Sequence, residues 1–198
     1  NGICVNDKGE RFTDEGQTYV QMSRDVAAMT KANWAYMIVD QTGHDVPILA
    51  NDWESYKRTK APVYVGQTLD EAAEKAGLPV DAVKATVKAY NEAIAAGKGK
   101  TLTPVNTLPK ARTVEKAPFY IVPFQGGMTA TFGGPLINVK GQVLDTENHV
   151  IDGLFAIGNA AGGLFYDNYI GGAQLTSAAV YGIVVADFVK AAKTPAGK

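Results

Sequence analysis

The stretch GLFAIGNAAGGLFYDNYIGGAQLTSAA, residues 153–179, decides how this chain is read. Gly153 to Ile157 is an apolar run of strand length. It opens into a loop bearing Gly158, Gly162 and Gly163, then a second pair, Gly171 and Gly172. The glycines stop where a helical pattern starts at Gln174. The first N–H groups of a helix have no partner within it, and the helix dipole adds about half a positive charge there. Glycine removes the Cβ that would hold a flat ligand off the backbone. The spacing therefore suits an electron-rich group docked at a helix N-terminus. The same turns also serve close packing of helix on strand, and the stretch by itself leaves both readings open. Neither G-x-G-x-x-G nor a Walker-type loop occurs in the sequence. The pyrophosphate of any dinucleotide would then rest mainly on residues outside this chain.

Of 198 residues, 46% are hydrophobic and 20% charged, a globular composition for one or two domains. The net charge of −1 and the absence of a basic stripe argue against a nucleic-acid partner. The longest apolar runs read as shorter than a membrane span. The single cysteine, Cys4, excludes an internal disulfide framework and a cysteine-rich metal site, and reads as a small apolar residue in a strand. His44 and His149 leave little for a zinc site, and no metal is expected. The chain begins Asn-Gly-Ile in a strand-like pattern and is expected to be a piece of a longer protein, which leaves its compartment open.

Upstream, GICVNDKGERF reads as a hairpin turning at Asn6 to Gly9, TYVQMSRDVAAMTKA as a short helix, and WAYMIVD as a strand ending in Asp40. A polar stretch with Gly43, Pro47 and Pro62 reads as irregular. Thr68 and Glu71 have capping-box spacing, with Gly77 as the stop. A second helix starts at Pro79, carries Val83, Val87, Tyr90 and Ile94 on its core face, and stops at Gly97. Residues 97–113 read as a linker. Strands follow in FYIVPF, PLINVKGQVLD and GLFAIG, with a hairpin turn at Gly141, and one long helix from Gln174 to about Ala192. The N-terminal part of the chain reads as an α+β unit. The C-terminal part reads as the end of a larger α/β sheet domain, because a few strands and one helix have little to pack against alone.

GLFAIGNAAGGLFYDNYIGGAQLTSAAVYGIVVADFV resembles the C-terminal FAD-binding segment of the fumarate reductase/succinate dehydrogenase flavoprotein family, with its G-L-[YF]-A-x-G-[EN]-x-x-G-G pattern. That broad family includes urocanate reductases and 3-ketosteroid dehydrogenases. NGICVNDKGERFTDE…SRD resembles the family's hairpin in the capping region, with its R-F-x-x-E and R-D pairs. TLDEAAEKAGLPVDAVKATVKAYNEAIAAGKG is similar to its helical stretch, and APFYIVPFQGGMTATFGG to the return of the chain to the flavin domain. The likeness runs in order over essentially the whole chain. It implies an α+β capping-type domain (residues 1–112) followed by the C-terminal part of an α/β FAD-binding domain (residues 113–198). In that case the N-terminal Rossmann half would precede Asn1.

The resemblance also implies roles. Arg24, followed by Asp25, stands where the family has its proton donor to the substrate double bond. Thr129 stands where fumarate reductases have a carboxylate-binding histidine, and Tyr169 replaces the arginine of N-R-L-G-G. Without those cations a carboxylate clamp is weak, which argues against fumarate or succinate. Tyr169 is similar to the tyrosine that donates to the ketone in 3-ketosteroid dehydrogenases. Gly158 and Asn159 are expected near the cofactor's ribityl or ribose hydroxyls. Gly171, Gly172, Ala173, Gln174 and Leu175 are expected to present backbone amides to the flavin N1 and C2 carbonyl.

The resulting expectation is an FAD-dependent oxidoreductase that reduces an enone or enoate, with Arg24 as proton donor and Tyr169 and Thr129 polarising the carbonyl. Its partners would be a small unsaturated carbonyl or acid, the N-terminal half, and an electron donor left open. The alternatives are a ketone or steroid dehydrogenase on the same scaffold, and a fragment that by itself is inactive and binds no FAD. Trp34, Trp53 and His44 receive no role, and His149 reads as a surface turn residue.

Overall fold

The run WAYMIVD forms β2 (Trp34–Asp40), and its alternating side chains supply both faces of a sheet. The computed structural model describes residues 2–29, 33–47, 50–128 and 130–193. They fall into two compact units, Asn1–Gly127 and Met128–Lys198. The first contains β1 (Ile3–Val5), α1 (Tyr19–Met29), β2, α2 (Gln41–His44), α3 (Ala50–Thr59), β3 (Tyr64–Gly66), α4 (Leu69–Ala76), α5 (Val80–Ala95) and β4 (Phe119–Gln125). The four strands form an antiparallel sheet in the order β1-β2-β4-β3, with Ile3 opposite Ile38 and Ile38 opposite Ile121.

Ile3, Val5, Ile38 and Ile121 point to one face and bury against Ala72, Ala73, Val83, Val87 and Tyr90 of α4 and α5. The alternate residues point the other way. Cys4 and Ala35 pack with Phe12 and Val26 of α1, and Val39 and Val122 pack with Trp53 of α3. Pro123 interrupts β4 without breaking the sheet, because β3 pairs only with Phe119 to Ile121 and leaves that flank open.

Local signals end the helices as the sequence predicts. Thr68 Oγ1 accepts from the Glu71 N–H at 3.1 Å, Gly77 takes the left-handed conformation after α4, and Gly97 does so after α5. The predicted hairpin differs: β1 pairs with β2, and its own turn contributes only the isolated bridge from Val5 to Arg11. The stretch read as irregular holds α2 and α3, a polar helix that buries only Trp53 and so carries little apolar periodicity.

The second unit contains β5 (Gln142–Leu144), β6 (Val150–Phe155), a 3-10 turn at Gly158–Ala160 and α6 (Ala173–Lys193). β5 and β6 form a two-stranded antiparallel sheet. Gly141, at φ +75°, makes the preceding turn and packs against Val185 and Tyr181 of α6. The buried core is small: Val143, Ala156 and Ala161, with Ile137 against them. Val150, Ile151 and Leu154 of β6, and Leu175, Val180 and Ile183 of α6, are all exposed. By length and composition alone Ala173–Ala192, with mean hydropathy 1.5, reaches the threshold for a membrane span that the apolar runs of the sequence had not suggested. One helix of this length and composition is weak support for a span, because helices of water-soluble proteins reach the same values. The spatial division falls after Gly127, beyond the expected 112/113 boundary, because β4 is hydrogen-bonded into the first sheet.

Candidate functional site

Arg24 lies in the first unit, on α1. That helix is seated by Val26, fully buried, and Met22, which packs with the Cys4–Phe12–Ala35 cluster. Arg24 is on the opposite, exposed side, next to exposed Ala27 and Ala28. Its neighbour Asp25 turns inward. Asp25 Oδ2 accepts from Thr13 Oγ1 at 2.7 Å and Gln17 Nε2 at 2.6 Å, and Oδ1 accepts from Gln21 Nε2 at 2.9 Å. Partial burial alone would raise the Asp25 pKa, but the bonds from Gln17, Thr13 and Gln21 outweigh it and hold the carboxyl below its usual range. The two halves of the R-D pair therefore divide the work. Asp25 fixes the helix, and the helix presents Arg24 outward.

The R-F-x-x-E motif is structural. Arg11 forks onto Glu15 through Nε at 3.0 Å and Nη2 at 2.6 Å, and its Nη1 donates to the Pro104 carbonyl at 2.7 Å. Glu15 also accepts from the Cys4 N–H and from Asn106 Nδ2. The guanidinium lies 5.5 Å over the Tyr90 ring. Burial, then the Glu15 charge, pushes both the Cys4 thiol and the Tyr90 phenol up to about 12. His44, given no role by the sequence, is stacked between Trp53 and Tyr120, with ring centroids 4.7 and 4.4 Å away. A cavity of about 530 Å³ beside α4 and α5, lined by Leu69, Lys84, Val87 and Asn91 among others, contains none of the predicted site residues.

In the second unit the two glycine loops meet at α6. A Cβ on Gly158, at φ +57°, would lie 3.1 Å from the Ala178 Cβ, so the 158–160 turn sits directly on the first turns of the helix. The Gly162 N–H donates to the Pro135 carbonyl at 3.0 Å, and Gly134 packs backbone to backbone on residues 160–162. Thr131 Oγ1 donates to the Asn159 carbonyl. Phe132, Phe165 and Tyr169 form a chain of tilted rings, 5.6 and 5.1 Å between centroids. Tyr169 is thus half-buried against Phe165, beside the glycine pair. Thr129 lies outside the described residues.

Gly171 and Gly172 open onto free space, with no atom within 4 Å of an added Cβ, and Leu175 is 77% exposed. Gln174 behaves differently from its neighbours. It is 5% exposed, and neither Nε2 nor Oε1 has a hydrogen-bond partner. The structure thus brings Gly158, Asn159, Gly171, Gly172, Ala173 and Gln174 to one end of α6. Among the described residues no group of three or more His, Cys, Asp or Glu gathers to hold a metal.

The family profile described as "FAD binding domain" matches residues 1–175. The chain is 32% identical over 191 residues to an NADH:acrylate oxidoreductase of Vibrio harveyi, covering 94% of this chain and 18% of that protein. Among solved structures it is similar to the open conformation of a flavocytochrome c3 fumarate reductase, with TM-score 0.75 and 29% identity over 94% of this chain and 32% of that one. It is also similar to 3-ketosteroid delta1-dehydrogenase of Sterolibacterium denitrificans bound to 1,4-androstadiene-3,17-dione, with TM-score 0.70 and 25% identity over 97% of this chain and 39% of that one. The chain therefore spans between about a fifth and two fifths of the length of these relatives. The residues present fit the cofactor of that family. An open glycine pair stands at the N-terminus of a 21-residue helix, and a buried carboxamide there lacks partners.

Proposed function

We propose, because the chain belongs to the FAD binding domain family, that it is part of a flavin-dependent oxidoreductase reducing an activated carbon–carbon double bond. The unit ending at Gly127 then comes from the domain that covers the substrate, and the unit after it from the FAD-binding domain, which an N-terminal Rossmann half completes. The thin core of the second unit and the exposed apolar side chains of β6 and α6 support a larger parent domain.

Bound FAD supplies a hydride at N5. The chain's own residues do the rest. The N–H groups of Gly171, Gly172, Gln174 and Leu175 would hold the pyrimidine end of the ring, where a helix N-terminus stabilises negative charge, while the Ala173 N–H donates to the Ile170 carbonyl at 3.1 Å. Gly158 and Asn159 would hold the sugar chain. Arg24 protonates the carbon next to the one that receives hydride. A guanidinium is a very weak acid, so it passes a proton only when a hydrogen-bonded relay resupplies it. Tyr169, and Thr129 with it, polarise the substrate carbonyl. The observation that carries this reading is the opposed pair on α1: Asp25 held inward by three donors, Arg24 exposed on the outer side.

The substrate is an enone or enoate other than fumarate, because a threonine and a tyrosine replace the cations that would clamp a second carboxylate. The acrylate oxidoreductase supports that class. A second reading, dehydrogenation of a ketone such as a steroid, is favoured by Tyr169 beside the glycine pair and by the steroid dehydrogenase likeness. In a third, these 198 residues alone are inert and hold FAD weakly or not at all. The test is the whole flavoprotein with Arg24→Ala, assayed on enones and enoates with a reduced dye. Undiminished turnover ends the Arg24 role. Oxidation of saturated ketones with an artificial acceptor, without enoate reduction, favours the second reading. Flavin bands on the isolated chain exclude the third.

A further inference from the structure

We infer that the side-chain carboxamide of Gln174 binds the lactam edge of the flavin, a ring N–H beside a ring C=O. The inference rests on the flavin reading above and assigns the side chain a contact separate from the backbone amides around it. Buried polar atoms in native proteins are almost always paired, and each exception needs a reason. Gln174 is 5% exposed and both ends of its amide lack a partner. Asn33 also has a buried oxygen without one, but its Nδ2 donates to the Gly126 carbonyl, so only half of that group is unmet. Gln174 is unmet at donor and acceptor together.

Its position points to a ligand. Gln174 precedes Ala178 by one helical turn, and residues four apart share a helix face. The Ala178 Cβ packs at Gly158. Gln174 is therefore on the α6 face that meets the 158–160 turn, one turn nearer the helix start. That places it between the first glycine loop and the open pair Gly171–Gly172. A carboxamide sets one donor beside one acceptor. A phosphate offers only acceptors and would leave the Gln174 oxygen unmet. A lactam edge answers both atoms at once, and the pyrimidine ring of a flavin carries one.

The experiment compares wild type with Gln174→Leu, which keeps the volume and removes the amide. In the whole flavoprotein, affinities for FAD and for 3-methyl-FAD, which lacks the ring N–H, are measured by fluorescence titration. Wild type should prefer FAD by about tenfold, and Gln174→Leu should abolish the preference. Without flavin, the substituted whole protein should melt at a higher temperature than wild type, since an unmet buried amide is gone. Equal preference in the two proteins, or a flavin-free Tm that is unchanged or lower, overturns the inference while leaving the flavin reading intact. If neither protein binds FAD, the flavin reading fails and this inference with it.

Discussion

Arg11 Nη2 lies 2.6 Å from Glu15 Oε2, with only 5% and 4% of the two side chains exposed. The pair ties the turn after β1 to Pro104, Val105 and Asn106, so it joins the start of the chain to the loop after α5.

Removing one partner strands the other as a buried charge. Glu15→Ala should lower stability by about 3–5 kcal/mol in urea denaturation. The double change Arg11→Met with Glu15→Leu should lose much less, because no unpaired charge is left. A Glu15→Ala loss below about 1 kcal/mol would show that the pair is solvated.

Stability should fall at alkaline pH. Cys4 and Tyr90 have folded pKa values raised to about 12 from 9.0 and 10.0. Above pH 9 the unfolded chain releases protons that the folded chain keeps, so the unfolding free energy decreases as pH rises through 9–12. Cys4→Ala should flatten the lower part of that window in a series of melts, and the Cys4 thiol should resist Ellman's reagent until the protein unfolds.

Acid should act through Asp25. Its folded pKa is depressed from 3.8, so its contribution is complete above the unfolded value and disappears as pH falls through the folded one. Gln17→Ala, which removes one of the three donors, should move acid unfolding to higher pH by circular dichroism.

Arg24→Ala should leave the Tm nearly unchanged, because the side chain is exposed on the outer side of α1. In the whole flavoprotein it should cut turnover by at least about 100-fold if Arg24 is the proton donor. Arg24→Lys should retain charge yet recover little, since a lysine does not reproduce the guanidinium fork.

Gly158→Ala should destabilise the second unit. The backbone is at φ +57°, which costs a residue with a Cβ about 1–2 kcal/mol, and the new methyl would press on Ala178 at 3.1 Å. Weaker FAD binding with Arg24 untouched would tie the 158–160 turn to the cofactor, and unaltered binding would remove Gly158 from that role.

Much of the fold was legible because its signals are local. Thr68, Gly77, Gly97 and Gly141 act on atoms a few residues away, and each starts, ends or turns an element where the sequence put it. α3 was missed because its single buried residue, Trp53, sets no period. Among the candidate residues, the order of glycines and helix start was readable, and the R-D pair stood out as a motif. That Asp25 and Arg24 face opposite ways was not, since the partners of Asp25 lie in a turn with no regular pattern.

Most strands and helices, their ends and the family could be read along the chain, since periodicity, caps and an ordered run of motifs are all written there. Which distant residues meet came from the folded arrangement alone. Arg11 finds the Pro104 carbonyl 93 residues away, and the Gln174 amide is buried near the start of α6 without a partner. Such pairings follow from strand order and helix packing, and separation along the chain carries no local trace of them.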